Sequence, residues 1–118
     1  MDMDKELMKK RPKQFALRII KCTEVLPRSQ TATVIGRQLL RSGTSVGANY
    51  RAACRAKSNA DFIAKMGIVE EEADESAYWM ELLVEANLVE ATLLADFLNE
   101  ANQLTAITVA SIKTARQK

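Results

Sequence analysis

Histidine is absent from the 118 residues. Its absence removes the commonest general base, the commonest metal ligand and every Ser-His or Cys-His nucleophile system. Glycine (four) and proline (two) are scarce, too scarce for the turns of a many-stranded sandwich or barrel. The two cysteines, Cys22 and Cys54, are too few and too far apart for a zinc knuckle or a C-x-x-C redox pair. They read as small hydrophobes in a reducing cytoplasm. The longest uncharged stretch, Ala101–Ile112, is twelve residues and cannot span a bilayer as a helix. The charged opening residues lack the apolar core of a signal peptide, so a cytoplasmic protein without membrane contact is expected.

What is present suits one folded domain: 47% hydrophobic and 27% charged residues over a length that buries about two thirds of the unfolded chain's surface. The net charge of +2 conceals a division. Residues 1–57 carry 13 Lys and Arg against 4 Asp and Glu, a net +9; residues 58–118 carry 4 against 11, a net −7. Such asymmetry points either to an electrostatic binding surface or to basic and acidic helices that neutralise each other side by side.

Apolar residues recur with the helical period in four segments. Residues 1–11 are charged and read as a flexible lead-in to a single domain over 12–118, with Pro12 suited to a first helical turn. Phe15, Ile19, Cys22 and Leu26 form one stripe, which Pro27 ends. Ser29 or Thr31 can cap a second helix whose inward face is Ile35, Leu39, Ser42, Val46, Tyr50 and Ala53. That stripe stays in phase across Gly43 and Gly47, so the glycine-containing segment reads as helix, with a neighbouring helix approaching closely.

Ser58-Asn-Ala-Asp61 has capping-box spacing and opens a third helix with the heptad line Phe62, Met66, Val69, Ala73, Ser76, Met80 and Leu83. Asn87 marks a turn. A fourth helix over about Val89–Ala115 carries Leu94, Phe97, Ala101, Leu104, Thr108 and Ile112, widened by Leu93, Leu98 and Ile107. Strand signals are absent, so the pattern predicts an all-α, up-down-up-down four-helix bundle. Apolar residues beyond one core's needs, namely Leu98 and a line through Ile68, Glu75 and Leu82 with Tyr78 and Trp79 beside it, point to a homo-oligomer interface.

On the second helix Arg37, Arg41, Arg51 and Arg55 fall within about 80° of arc, opposite the apolar stripe. The first helix adds Arg18 and Lys21, with Lys10 and Lys13 upstream, and Lys57 extends the patch. Arginine's planar fork suits phosphate, and backbone phosphates give affinity without base-specific geometry. The few aromatic residues do not interleave with this face, which disfavours a stacking platform for single strands.

Glu70, Asp74, Glu81 and Glu85 share one side of the third helix, but no His and no matching carboxylate set completes a metal cage; neither metal nor cofactor is expected. Glu75 is expected to meet Arg41 in a partly buried pair. Gly43-Thr-Ser-Val-Gly47 lacks the lysine and the preceding strand of a phosphate loop.

Arg41-Ser-Gly-Thr-Ser-Val-Gly-Ala-Asn-Tyr50, Ala60-Asp-Phe-Ile-Ala-Lys-Met66 and Glu72-Ala-Asp-Glu-Ser-Ala-Tyr-Trp-Met-Glu-Leu82 together resemble a known family over roughly Phe15 to Ile112. It comprises the four-helix-bundle proteins encoded within intervening sequences of bacterial large-subunit ribosomal RNA genes, related to the accessory variability protein of diversity-generating retroelements. Arg41, Ser42, Ser45, Asn49, Glu75, Trp79 and Leu82 carry the resemblance. It implies a left-handed bundle assembled as a pentameric ring. In the retroelement relative it further implies a basic surface for nucleic acid and a reverse transcriptase partner. Arg51-Ala-Ala-Cys-Arg55 departs from the acidic segment frequent in the family, and so makes this face more basic.

Two functions follow as expectations. One is a non-enzymatic oligomer that binds RNA or DNA phosphates through Arg18, Lys21, Arg37, Arg41, Arg51 and Arg55. The other is an interaction scaffold for a protein partner without direct nucleic-acid contact.

Overall fold

The computed structural model describes residues 2–118, with side chains from Lys9 onward. Four helices follow in order: α1 Asp2–Glu24, α2 Gln30–Cys54, α3 Asn59–Glu85 and α4 Ala91–Arg116. No strand occurs among the described residues. The short connections turn each helix back along its predecessor, which gives the up-down-up-down bundle.

The boundaries have local causes. Ser29 caps α2, its Oγ accepting the Ala32 amide at 3.1 Å. Ser58 caps α3 in the same way, accepting the Asp61 amide at 3.0 Å. Asp61 reaches back to accept the Lys57 amide at 3.1 Å and also takes the Lys65 ammonium at 2.9 Å. Chiefly through the Lys65 bond, its carboxyl is held below the usual range. The α3 terminus closes through Asn87, whose φ of 59° lies in the left-handed region asparagine tolerates. The Asn87 amide returns to the Val84 carbonyl and the Leu88 amide to the Leu83 carbonyl, which satisfies two helix-end acceptors and reverses the chain.

All six residues of the α2 stripe are buried, as are Met66, Val69, Ala73, Ser76, Met80 and Leu83 of α3. From α4 come Leu94, Ala101, Leu104, Thr108 and Ile112; from α1, Phe15 and Ile19. Phe62, expected on the core line, is only partly buried at the end of the bundle. Three polar residues enter this core, each bonded. The Ser76 hydroxyl meets Ser42 Oγ at 3.0 Å across α2 and α3, and Thr108 donates to the Leu104 carbonyl at 2.7 Å. Apolar burial drives association of the helices; each fully buried Leu or Met contributes about 1.5–3 kcal/mol.

Sequential helices pack broadly on one another, whereas α1 and α4 meet only along a short seam. Two contacts hold that seam. Arg11 forks onto Glu100 at 3.0 and 2.7 Å and adds Gln103 at 3.0 Å, and the Arg18 guanidinium lies 4.5 Å from the Phe97 ring centroid.

Three boundary expectations are corrected. The lead-in over 1–11 falls partly outside the described residues, but α1 already includes Lys9–Arg11, and Arg11 is tied to α4. Pro12 therefore stands inside the helix, not at its first turn. It cannot donate to the carbonyl four residues earlier, but its side chain is fully buried and its carbonyl packs on Gly47 of α2, where α1 docks. The fourth helix starts at Ala91, two residues later than expected, because Leu88 and Val89 are spent closing the α3 terminus.

The glycines separate two situations. A Cβ at Gly43 would sit 3.0–3.3 Å from three atoms at the branched base of Ile19, while one at Gly67 meets nothing within 4 Å. Relieving backbone freedom in a helix is worth about 0.5–1 kcal/mol. Gly67→Ala should therefore raise stability by about that amount. Gly43→Ala should lose more than it gains, because Ile19 is held at its own backbone and cannot swing aside. Urea unfolding of the two variants should give opposite signs; equal signs would contradict the close α1–α2 approach.

Candidate nucleic-acid interface

Helix α2 contains no acidic residue, so its outward face is set by arginine alone. Arg37, Arg41, Arg51 and Arg55 are all exposed, opposite the buried stripe, over about 27 Å of helix. Their surroundings divide them.

Arg41 is not a free cation. Its guanidinium meets Glu72 at 3.0 Å and pairs with Glu75 of α3, and its Nε donates to Gln38 at 3.3 Å. The Trp79 indole N–H donates to the same Glu75 oxygen at 3.0 Å. The expected Arg41–Glu75 pair thus exists, and it removes Arg41 from the phosphate-contacting set. Two carboxylates already occupy the fork that a phosphate would need.

Arg18 is withdrawn in a different way. It is exposed but turned toward α4 and laid on Phe97, so it does not join the α2 arginines. Lys21 is exposed on α1 one turn further along.

Arg51 and Arg55 meet two cations from α1: Lys13, which belongs to the expected basic patch, and Lys9, which lies outside it. The seam between α1 and α2 opens into a cleft of about 760 Å³ lined by Lys9, Lys13, Arg51, Arg55, Thr44 and Cys54, among others. Its floor is made of small residues. Gly47 lets the α1 backbone approach to 3.4 Å of where its Cβ would be, at the Pro12 carbonyl, and Ala16 and Ala48 flank it. The long basic side chains rise around this shallow floor. Among the described residues, no carboxylate lines the cleft. Among the described residues Lys13, Arg37, Arg51 and Arg55 form no ion pair.

Tyr50 is buried beneath, and its phenol is pushed up to about 12, first by burial and then by the neighbouring Cys54 thiol. The phenol is therefore neutral near pH 7. Arg37 stands apart at the other end of α2, beside Arg28 in a second, shallower depression of about 540 Å³ at the α1–α2 turn.

Lys9 and the pairing of Lys13 with Arg51 and Arg55 were not legible in the sequence reading. The available signals were the four-residue spacing of Lys9 and Lys13 and the small residues Ala16, Gly47 and Ala48 on facing helices.

The residues expected at an oligomer interface lie on α3 and α4. Ile68 is 44% and Tyr78 53% exposed, Leu82 and Leu98 are partly buried, and Glu75 is engaged with Arg41 and Trp79. Tyr78 and Trp79 form an edge-to-face pair with centroids 5.0 Å apart. On α4, Leu93 and Val109 remain exposed. The described residues hold no group of three potential metal ligands, and none of their helices is long and apolar enough to cross a membrane.

Comparison with known proteins adds three findings. The model of a family described as 23S rRNA-intervening sequence protein matches residues 5–110. A crystal structure of a Bacteroides thetaiotaomicron protein of unknown function from the S23 ribosomal protein family superposes with a TM-score of 0.83 at 37% identity, covering 89% of this chain and 97% of that one. No curated protein matches.

Proposed function

The chain belongs to the 23S rRNA-intervening sequence protein family, and from that membership together with its cation arrangement we propose that it is a non-enzymatic, cytoplasmic nucleic-acid-binding protein. It contacts backbone phosphates through Lys13, Arg37, Arg51 and Arg55. The observation that carries this reading is that, among the described residues, these four exposed cations lack carboxylate partners, while the other arginines with close carboxylates, Arg11 and Arg41, are tied to Glu100 and to Glu72 and Glu75. Unpaired cations on one face give affinity for a polyanion without base reading. The lack of exposed aromatic rings on that face favours a duplex over a splayed single strand. The test is filter binding of duplex RNA and duplex DNA at low salt with wild type and the Arg37→Ala, Arg55→Ala double variant. Binding that is absent, or that the double variant leaves unchanged, would refute the proposal.

A second reading, a homo-oligomer or docking scaffold, is favoured by the exposed Ile68 and Tyr78 next to the Arg41–Glu75–Trp79 network. The family resemblance suggests a ring of five. Light scattering should then report five times 13.1 kDa, and Ile68→Glu with Tyr78→Glu should return the mass to that of one chain while leaving the cation face intact. A wild-type mass of a single chain would exclude the ring.

A further inference from the structure

Phosphate binding along α2 does not account for the α1–α2 cleft. A backbone-tracking face needs only projecting cations; here cations from two helices converge on one concavity. Arg51 and Arg55 stand one turn apart on α2, Lys13 faces them from α1 with Lys9 one turn away, and Gly47, Ala16 and Ala48 keep the floor low between them. At about 760 Å³ the cleft lies within the range of small-ligand sites. Among the described residues it contains no carboxylate to repel an anion and no exposed ring to hold a base, because Tyr50 is buried. Its selectivity must come from charge density.

We infer that the α1–α2 cleft is a binding site for a condensed phosphate chain, a di- or triphosphate group, held by Lys13, Arg51 and Arg55. The two arginine forks lie along one side and the lysine ammonium opposes them, so neighbouring phosphate groups are gripped from both helices at once. A single phosphate engages only part of this set. The inference refines the nucleic-acid reading at the same surface, because the chain can arrive in two forms: a free nucleotide or the triphosphorylated 5′ end of a transcript.

The experiment is isothermal titration of the full chain in low salt with sodium triphosphate, inorganic phosphate, ATP and GTP. Two RNA hairpins of one sequence, bearing a 5′-triphosphate or a 5′-hydroxyl, follow. Triphosphate should bind at least tenfold more tightly than inorganic phosphate, and ATP and GTP should bind alike. The Arg51→Ala, Arg55→Ala variant and Lys13→Ala should each weaken triphosphate tenfold or more, and Lys113→Ala on α4 should leave it unchanged. All these side chains are exposed, so the fold should tolerate the changes, and circular dichroism of each variant checks this. A hairpin preference for the 5′-triphosphate that free triphosphate abolishes identifies the RNA end as the source; equal hairpins with tight nucleotide binding identify the free nucleotide. Absence of triphosphate binding, parity with inorganic phosphate, or indifference to Arg51 and Arg55 overturns the inference. Binding of the 5′-hydroxyl hairpin reports separately on the duplex-backbone reading, which survives such a failure.

Discussion

Phe15→Ala should destabilise the protein by about 3–5 kcal/mol, the range for deleting a fully buried aromatic ring. Phe15 is 1% exposed, and with Pro12 and Ile19 it supplies the fully buried side chains by which α1 docks. The other positions on its stripe, Cys22 and Leu26, are only partly covered. Among the described residues helix α1 also has little second support, since it leans on α2 and touches α4 only along the short seam of Arg11 and Arg18. The cavity left by the ring therefore stays largely unfilled by neighbours on a third helix. A domain of this size has about 5–15 kcal/mol in all, so the variant should lose more than about 10 °C in Tm. Urea unfolding followed by circular dichroism measures the loss. Leu17→Ala, at a position 53% exposed, serves as the control and should stay within about 0.5 kcal/mol. A loss below about 1 kcal/mol at Phe15 would mean that α1 is not a member of the core, and the cleft built on Lys13 would lose its second wall.

The second large effect is ionic. Each phosphate neutralised on a duplex contributes about −0.9 to the slope of log affinity against log salt. With Lys13, Arg37, Arg51 and Arg55 engaged, the slope for duplex RNA should be about −3.6, so raising salt from 50 to 200 mM should weaken binding about 10²-fold. Arg51→Ala with Arg55→Ala should halve the slope and lower affinity about 10²-fold at 50 mM. Arg41→Ala should change the slope by far less, because its guanidinium is committed to Glu72 and Glu75. If Arg41→Ala reduced the slope as much as Arg55→Ala, the ion pair would have to open on binding, and the assignment of four cations would be wrong.

The sequence was most legible where one helix decides. The period of α2 places Ile35 through Ala53 in the core without interruption at Gly43 and Gly47, because a helix keeps phase across glycine even where glycine weakens it. Ser58 and Asp61 carry their own geometry, and both caps formed where the spacing put them. The Arg41–Glu75 pair was legible because Glu75 stands on the apolar line through Ile68 and Leu82, where a carboxylate calls for a cation from a neighbouring helix.

What was hidden involves two helices at once. A helical wheel fixes which side of α1 bears Lys13 and which side bears Lys21, but not which of those sides adjoins α2. That choice follows from where Pro12 and Ile19 seat against Gly47 and Gly43, and it put Lys13 beside Arg51 while leaving Arg18 on Phe97. Pro12 misled for a related reason. Its local chemistry favours a helix start, and only burial against a neighbour makes an interior position tolerable.

The acidic excess of the second half lies almost wholly on α3, since the charges of α4 itself cancel. With the unpaired cations on α1 and α2, this makes the bundle an electric dipole across its narrow dimension, about 20 Å wide. A polyanion approaching the wrong side is repelled, and one approaching the right side turns the molecule before touching it. The screening length at physiological salt is about 8 Å, shorter than that width. The torque therefore acts only in the last moments of encounter, and its signature belongs in the association rate, which should fall with salt while dissociation of the formed complex changes less.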